Sequence, residues 1–191
     1  MQGSNASELH GPSNRDSIGE TMKRDSAQYH SFVRRSVDLG AKEAKVIQPS
    51  TVVTAEWVRL KCQFGCDGYN SSLCCPPNSP TPDQTRKTLD GYETAILAHF
   101  GTNREVTKSM VALEREVFLA GYYKALAFGA GPCNLCKSCP EEGCKHPDKA
   151  CPSMEACGID VFSTARNNGY PIEVVVDESS AQNYYGLLLI E

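Results

Sequence analysis

Tyr92-Glu93-Thr94-Ala95-Ile96-Leu97-Ala98-His99-Phe100 is the stretch on which the fold turns. Its run of apolar residues, too short for a helix and bounded by polar turns, reads as a buried strand. Residues 103–127 follow as the longest helical pattern, with Val106, Met110, Leu113, Val117, Gly121 and Lys124 at three- and four-residue steps. Before the strand, Pro76, Pro77, Pro80 and Pro82 stop regular structure, and Thr81 can cap a helix from Pro82 to about Asp90.

Working outward, Tyr29, Phe32, Val33, Val37 and Leu39 predict a short amphipathic helix over 26–39, with Gly40 at its C-terminus. Residues 45–47, 52–53 and 56–60 read as short strands, the last running into Cys62. Residues 125–130 continue into a Gly-rich turn. Ser153 can cap a helix that passes through Ile159 and Phe162 to Asn168-Gly169, with Ala156 where a full capping box has Glu or Gln. Residues 172–176 and 184–190 are the expected final strands. This interleaving predicts an α/β or α+β fold: one domain, residues 25–191, with one mixed sheet, flanking helices and two Cys-rich metal-binding loops. Residues 1–24 show no hydrophobic period and read as a disordered leader.

With 191 residues, 40% hydrophobic and 22% charged, the chain has the composition of an ordinary soluble domain. A net charge of -4 gives no electrostatic footprint for nucleic acid or an anionic membrane, and no run approaches 18 apolar residues. The unusual feature is 10 cysteines, four between Cys62 and Cys75 and six between Cys133 and Cys157. No secretory signal stands at the N-terminus, so a reducing cytoplasm is the expected compartment. Close Cys spacings there suit a metal or cluster better than disulfides.

Cys133-x2-Cys136-x2-Cys139, then four residues, then Cys144, presents three thiolates from one tight loop. That matches three corners of a [4Fe-4S] cubane better than one tetrahedral zinc. The last gap is four residues where the bacterial ferredoxin run has three, so Cys144 either closes the same cluster or reaches a second. Gly129 and Gly131 would let backbone amides approach the sulfurs, or simply make the turn before Pro132. The first group, Cys62-x3-Cys66, seven residues, then Cys74-Cys75-Pro76-Pro77, forms a second ligand loop. Adjacent cysteines do not easily face one small cluster, so one of Cys74 and Cys75 is spare. Cys151 and Cys157 are either buried small hydrophobes or ligands, and Cys157 could supply the fourth ligand of the first group.

Together LKCQFGC, CCPPNSPTP, GPCNLCKSC, EEGCKHP and PSMEACGIDV resemble a prokaryotic family of predicted metal-binding proteins of unknown function (domain of unknown function 2284), over about residues 29–190. The resemblance implies metal binding without a reaction, favours Cys75 over Cys74, and places Cys151 where Arg is expected. His146 reads as a solvent loop residue rather than a ligand, His99 as a satisfied core residue, and Trp57, Tyr92, Tyr122 and Tyr123 as packing residues. Glu155 and Asp160 read as solvated or helix-terminal charges. No Ser/His/Asp order, P-loop or dinucleotide fingerprint is present.

The leading expectation is a cytoplasmic carrier of single electrons. It holds one or two [4Fe-4S] clusters on Cys62, Cys66, Cys75, Cys133, Cys136, Cys139, Cys144 and Cys157, and docks transiently to a redox partner protein. Two alternatives come from other classes: a zinc-binding structural or interaction module, and an enzyme with an open cluster site.

Overall fold

The computed structural model describes residues 14–140 and 142–191, with side chains from residue 26 on. Along the chain lie α1 (Asn14–Asp38), β1 (Glu43–Ile47), α2 (Glu56–Gly65), α3 (Pro82–Leu89), β2 (Ala95–Phe100), α4 (Val106–Leu119), β3 (Leu126–Phe128), α5 (Val161–Asn167) and β4 (Tyr184–Leu189). Short 3-10 turns occupy Pro49–Thr51 and Glu155–Cys157. α1 begins inside the segment expected as a leader, and residues 1–13 lie outside the described residues.

The strands form one four-stranded sheet in the order β1-β2-β4-β3. Every strand pairing is antiparallel, where the sequence suggested a mixed sheet. All six residues of β2 are buried, because both faces of the sheet are covered. Ala95 and Leu97 join Leu187, Leu189, Phe128 and Ile47 on one face, against Met154, Cys157, Ile159 and Ala165. Ile96, Ala98 and Phe100 turn the other way with Leu188, onto Phe32 of α1 and Met110 and Leu113 of α4. The period-2 alternation of a strand thus feeds two separate cores. Each fully buried Leu or Ile contributes about 1.5–3 kcal/mol. Gly186 in β4 is a packing requirement, since a Cβ there would run into the Met110 side chain.

Other elements depart from expectation. Residues 56–60 form the start of α2, not a strand: Glu56 sits in the first turn, and Leu60, Lys61 and Gln63 are good helix formers. Residues 52–53 give their backbone elsewhere than to a strand: Val52 N–H donates to Pro49 O and Val52 O accepts from Arg86 Nη1, while Val53 N–H donates to Thr164 Oγ1 at 3.0 Å and Val53 O accepts from Asp160 N–H at 2.8 Å. α4 stops at Leu119 because Gly121 takes a positive φ of 108°, which frees residues 126–128 to become β3. The helix expected from Ser153 is broken at Gly158, where φ is 75° and Pro82 leaves no room for a side chain. Asp160 then caps α5 through Ser163 N–H. Residues 172–176 lie outside the sheet: Ile172 is buried, but Val174, Val175 and Val176 stand in solvent.

Candidate metal centres

α2 carries Cys62 one helical turn before Cys66, so both thiols leave the same side of the helix end. The chain then turns back through residues 67–79. Asn70 adopts φ 57° and donates its N–H to Pro76 O at 2.7 Å, while Asn78 N–H reaches Cys75 O at 3.0 Å. These turns return Cys75 to the cavity lined by Cys62 and Cys66, of about 250 Å³. Glu155, Gly131 and Pro132 are on its wall. The return loop is pinned to the Glu155–Cys157 turn by three side chains. Arg59 Nη1 donates to Ser79 O, Pro80 O and Ala156 O at 3.0, 2.7 and 3.3 Å. Ser79 Oγ donates to Ala156 O at 2.6 Å, and Thr85 Oγ1 to Cys157 O at 2.7 Å.

The second group sits on a loop whose ends are stitched together. Gly129 N–H donates to Pro152 O at 2.9 Å and Met154 N–H to Gly129 O at 3.0 Å, so residues 130–152 leave the protein and return at one place. Gly129 is there for packing, because a Cβ would meet Thr107 of α4. Within the loop, Cys133, Cys136, Cys139 and Cys144 line one cavity of about 270 Å³, with Gly68, Ser71 and Ser72 of the first loop opposite. The loops touch: a Cβ built on Gly68 would lie 3.1 Å from Pro132 Cβ. Both cavities are below the roughly 300–1,000 Å³ of pockets for organic ligands, a size that suits an inorganic group.

Backbone amides already point at three of these sulfurs, each at 3.4 Å: Gly68 N–H to Cys66, Leu73 N–H to Cys139 and His146 N–H to Cys144. Such donors tune a bound metal. Among the described residues two buried side-chain oxygens have no hydrogen-bond partner, Ser72 Oγ and Glu155 Oε2. Each lies on the wall of one thiol-lined cavity. All ten cysteines are free thiols. Among the described residues no set of three His, Cys, Asp or Glu groups stands at the spacing of a single-ion site. The thiols are arranged around cavities instead of gathered on one point.

The remaining cysteines, Cys74, Cys151 and Cys157, line neither cavity. Cys157 is fully buried with Val52, Leu89, Leu97 and Met154, on neither cavity wall. Burial pushes its thiol up to about 12, and does the same to Cys151. Cys74 is also raised to about 12, first by burial and then by the neighbouring Cys133, with which it shares a hydrogen bond. Cys62 is raised by burial, then by Cys66 and Glu155. Burial raises the Glu155 carboxyl as well, so the charge read as solvated or helix-terminal opens the 3-10 turn and faces inward. The signal available in the sequence was a lone acid in the otherwise uncharged run 150–159. Ser72 carried no such signal.

His99 is the satisfied core residue expected: Nε2 meets Asn183 Oδ1 at 2.8 Å, and the ring stacks on Tyr185. His146 is half-buried, and its backbone N–H, not its ring, serves Cys144. Tyr92 and Tyr122 pack against the cores, whereas Trp57 and Tyr123 are exposed.

Two wider grooves flank the cavities. One, of about 810 Å³, is lined by Trp57, Phe162, Ile172 and Val174 and shares Cys62, Cys66 and Glu155 with the first cavity. The other, about 980 Å³, meets Cys133 and is lined by Arg104, Lys108, Arg115 and Lys149, a cationic wall on an acidic chain. Among the described residues no helix is long and apolar enough to cross a membrane.

A family model described as predicted metal-binding protein (DUF2284) matches residues 45–190, a span that contains both cysteine groups and both cavities. No curated protein and no solved structure matches the chain.

Proposed function

We propose, from the premise that this chain belongs to the family of predicted metal-binding proteins matched over residues 45–190, that it is an iron-sulfur protein which passes single electrons to or from a partner redox protein. The observation that carries this reading is the convergence of Cys133, Cys136, Cys139 and Cys144 on one small cavity. The residues present fit the group. The donors are thiols, amides of Leu73 and His146 are aimed at two of the sulfurs, and the unpartnered Ser72 hydroxyl faces the same space. A [4Fe-4S] cluster bound there would supply a one-electron couple. Cys133, Cys136, Cys139 and Cys144 would hold it, and Ser72 and the amides would stabilise added negative charge. Cys62, Cys66 and Cys75 support a second centre in the adjoining cavity. The reading includes a reducing, cytoplasmic setting for the thiols.

The test is iron, acid-labile sulfide and zinc per chain, with a visible spectrum, on protein purified without oxygen. About four or eight irons with matching sulfide and a colour that dithionite bleaches are expected. Cys136→Ser should remove about four irons, and Cys74→Ser should leave the count unchanged. Stoichiometric zinc in colourless protein would replace this reading with a zinc-binding structural module.

One observation favours a second reading, an enzyme acting at the first centre. The groove of about 810 Å³ reaches Cys62 and Cys66 and has the size of an organic-ligand site. A small molecule that binds there and changes the spectrum of wild type but not of Cys62→Ser would support it.

A further inference from the structure

We propose that the first centre is closed by a carboxylate, with Cys62, Cys66 and Cys75 supplying three ligands and Glu155 the fourth. This rests on the reading of their shared cavity as a metal site. Glu155 stands on the wall of that cavity with the three thiols. Its Oε2 is shut off from solvent and has no hydrogen-bond partner. A buried carboxylate oxygen in that condition is unfavourable unless a cation compensates it or a proton neutralises it, and the three thiols on the same wall favour the cation. The cations of α2 are directed elsewhere: Arg59 Nη1 reaches the carbonyls of Ser79, Pro80 and Ala156, and Lys61 Nζ lies over the Trp57 ring. None of the ion pairs among the described residues involves Glu155. The cationic core of a cluster filling this cavity would be the counter-charge.

The backbone explains why Glu155 and not Cys157 faces the metal. Both belong to one 3-10 turn, Glu155–Cys157. With about three residues per turn, positions two apart point to different sides. Cys157 faces the core beneath the sheet and has no exposed surface, which leaves Glu155 for the cavity. The turn is held rigidly: Ser153 Oγ accepts Ala156 N–H at 3.1 Å, and Ser79 and Thr85 bond the carbonyls of Ala156 and Cys157. A carboxylate is a harder donor than a thiolate and holds iron less firmly, so the corner it binds is the exchangeable one. Glu155 also lines the groove of about 810 Å³, beside Cys62 and Cys66, so an incoming ligand entering there meets the exchangeable corner.

The experiment uses the full chain purified without oxygen as wild type, Glu155→Gln, Glu155→Cys, Cys157→Ser and Cys62→Ser. Iron and sulfide are counted, and EPR spectra are taken after one equivalent of ferricyanide. In wild type, [4Fe-4S]2+ should give [3Fe-4S]+, Fe2+ and one electron, which ferricyanide accepts, with the EPR signal of a three-iron cluster. Glu155→Gln should be isolated already short of about one iron in four at this centre. Glu155→Cys should restore the iron and suppress the ferricyanide signal, which separates a ligand from a residue needed only for folding. Cys157→Ser should match wild type. Full iron in Glu155→Gln with loss in Cys157→Ser would overturn the proposal. If Cys62→Ser keeps the complete metal content and the ferricyanide signal, the first cavity is not a metal site and the underlying reading fails instead. Should the metal be zinc, the iron assignment falls, and the zinc counts of the same variants decide the ligand in the same way.

Discussion

Thr85 is 1% exposed, and its hydroxyl donates to Cys157 O at 2.7 Å, one of the bonds that fix the turn bearing Glu155. Thr85→Val keeps the shape and orphans that carbonyl. It should cost about 1–3 kcal/mol in chemical denaturation and loosen the first centre more than the second in metal-release rates. Glu114 gives a pH prediction. Burial raises its carboxyl above the usual 4.5, against the lowering effect of Ala127 N–H, which donates to Oε2 at 3.2 Å. The folded chain therefore holds this proton more tightly than the unfolded one. Stability from this group is fully present below 4.5 and is lost as pH rises through the folded value. Glu114→Gln should flatten the fall in denaturation midpoint just above pH 4.5 and raise stability at neutral pH; a curve that keeps its slope would show that the burial is without consequence. At this scale the grouping of the thiols was legible, because close Cys spacing brings Cys133, Cys136, Cys139 and Cys144 onto one cavity and Cys62, Cys66 and Cys75 onto another. Glu155 was not, because charge alone does not say whether a carboxylate faces water; the turn and the packing of Cys157 decide that.

Among the elements, α3 was fully legible. Thr81 accepts Gln84 N–H at 3.2 Å and Gln84 Oε1 accepts Thr81 N–H at 2.9 Å, the reciprocal pair written as Thr-Pro-Asp-Gln. Thr81→Ala should lower stability by about 1 kcal/mol in urea unfolding. β2 was legible for a similar reason: a continuous apolar run cannot be left in water. Its partners were less so. The valines of 173–176 read as a strand by propensity, yet the sheet edges are occupied by β1 and β3, and β4 takes the central place. α2 was misread because Trp57 and Val58 have high β-propensity, whereas the helix formers Leu60, Lys61 and Gln63 together with contact to the Glu155–Cys157 turn favour a helix there. The tight fit of α4 on β4 is testable at Gly186. Gly186→Ala would drive a methyl into Met110, and destabilisation of about 1–3 kcal/mol is expected in thermal or chemical unfolding; an unchanged midpoint would mean that Met110 simply moves aside.

For the whole molecule, the layered plan was readable from alternating helix and strand signals, while the strand order was not, since β2 pairs with β4 across more than 80 residues of chain. The first cysteine loop is pinned to the Glu155–Cys157 turn, and the second is closed at the end of β3 by the Gly129–Ser153 bridge. The sheet itself draws its stability from two apolar clusters, of which only Cys157 is a sulfur ligand candidate. Removing metal with a chelator should therefore leave slow amide exchange in 95–100 and 184–189 and accelerate it in 66–79 and 130–152, as read by hydrogen-exchange mass spectrometry. The stitched ends of residues 130–152 have a further consequence. Because Gly129 is bonded to Pro152 and Met154, the chain closes a ring at the base of the loop, and part of the entropy of gathering the ligands of the second group is given up there and not at the metal. The loop is a purse drawn at its mouth, with the drawstring tied to the sheet and the ligands sewn into the lining.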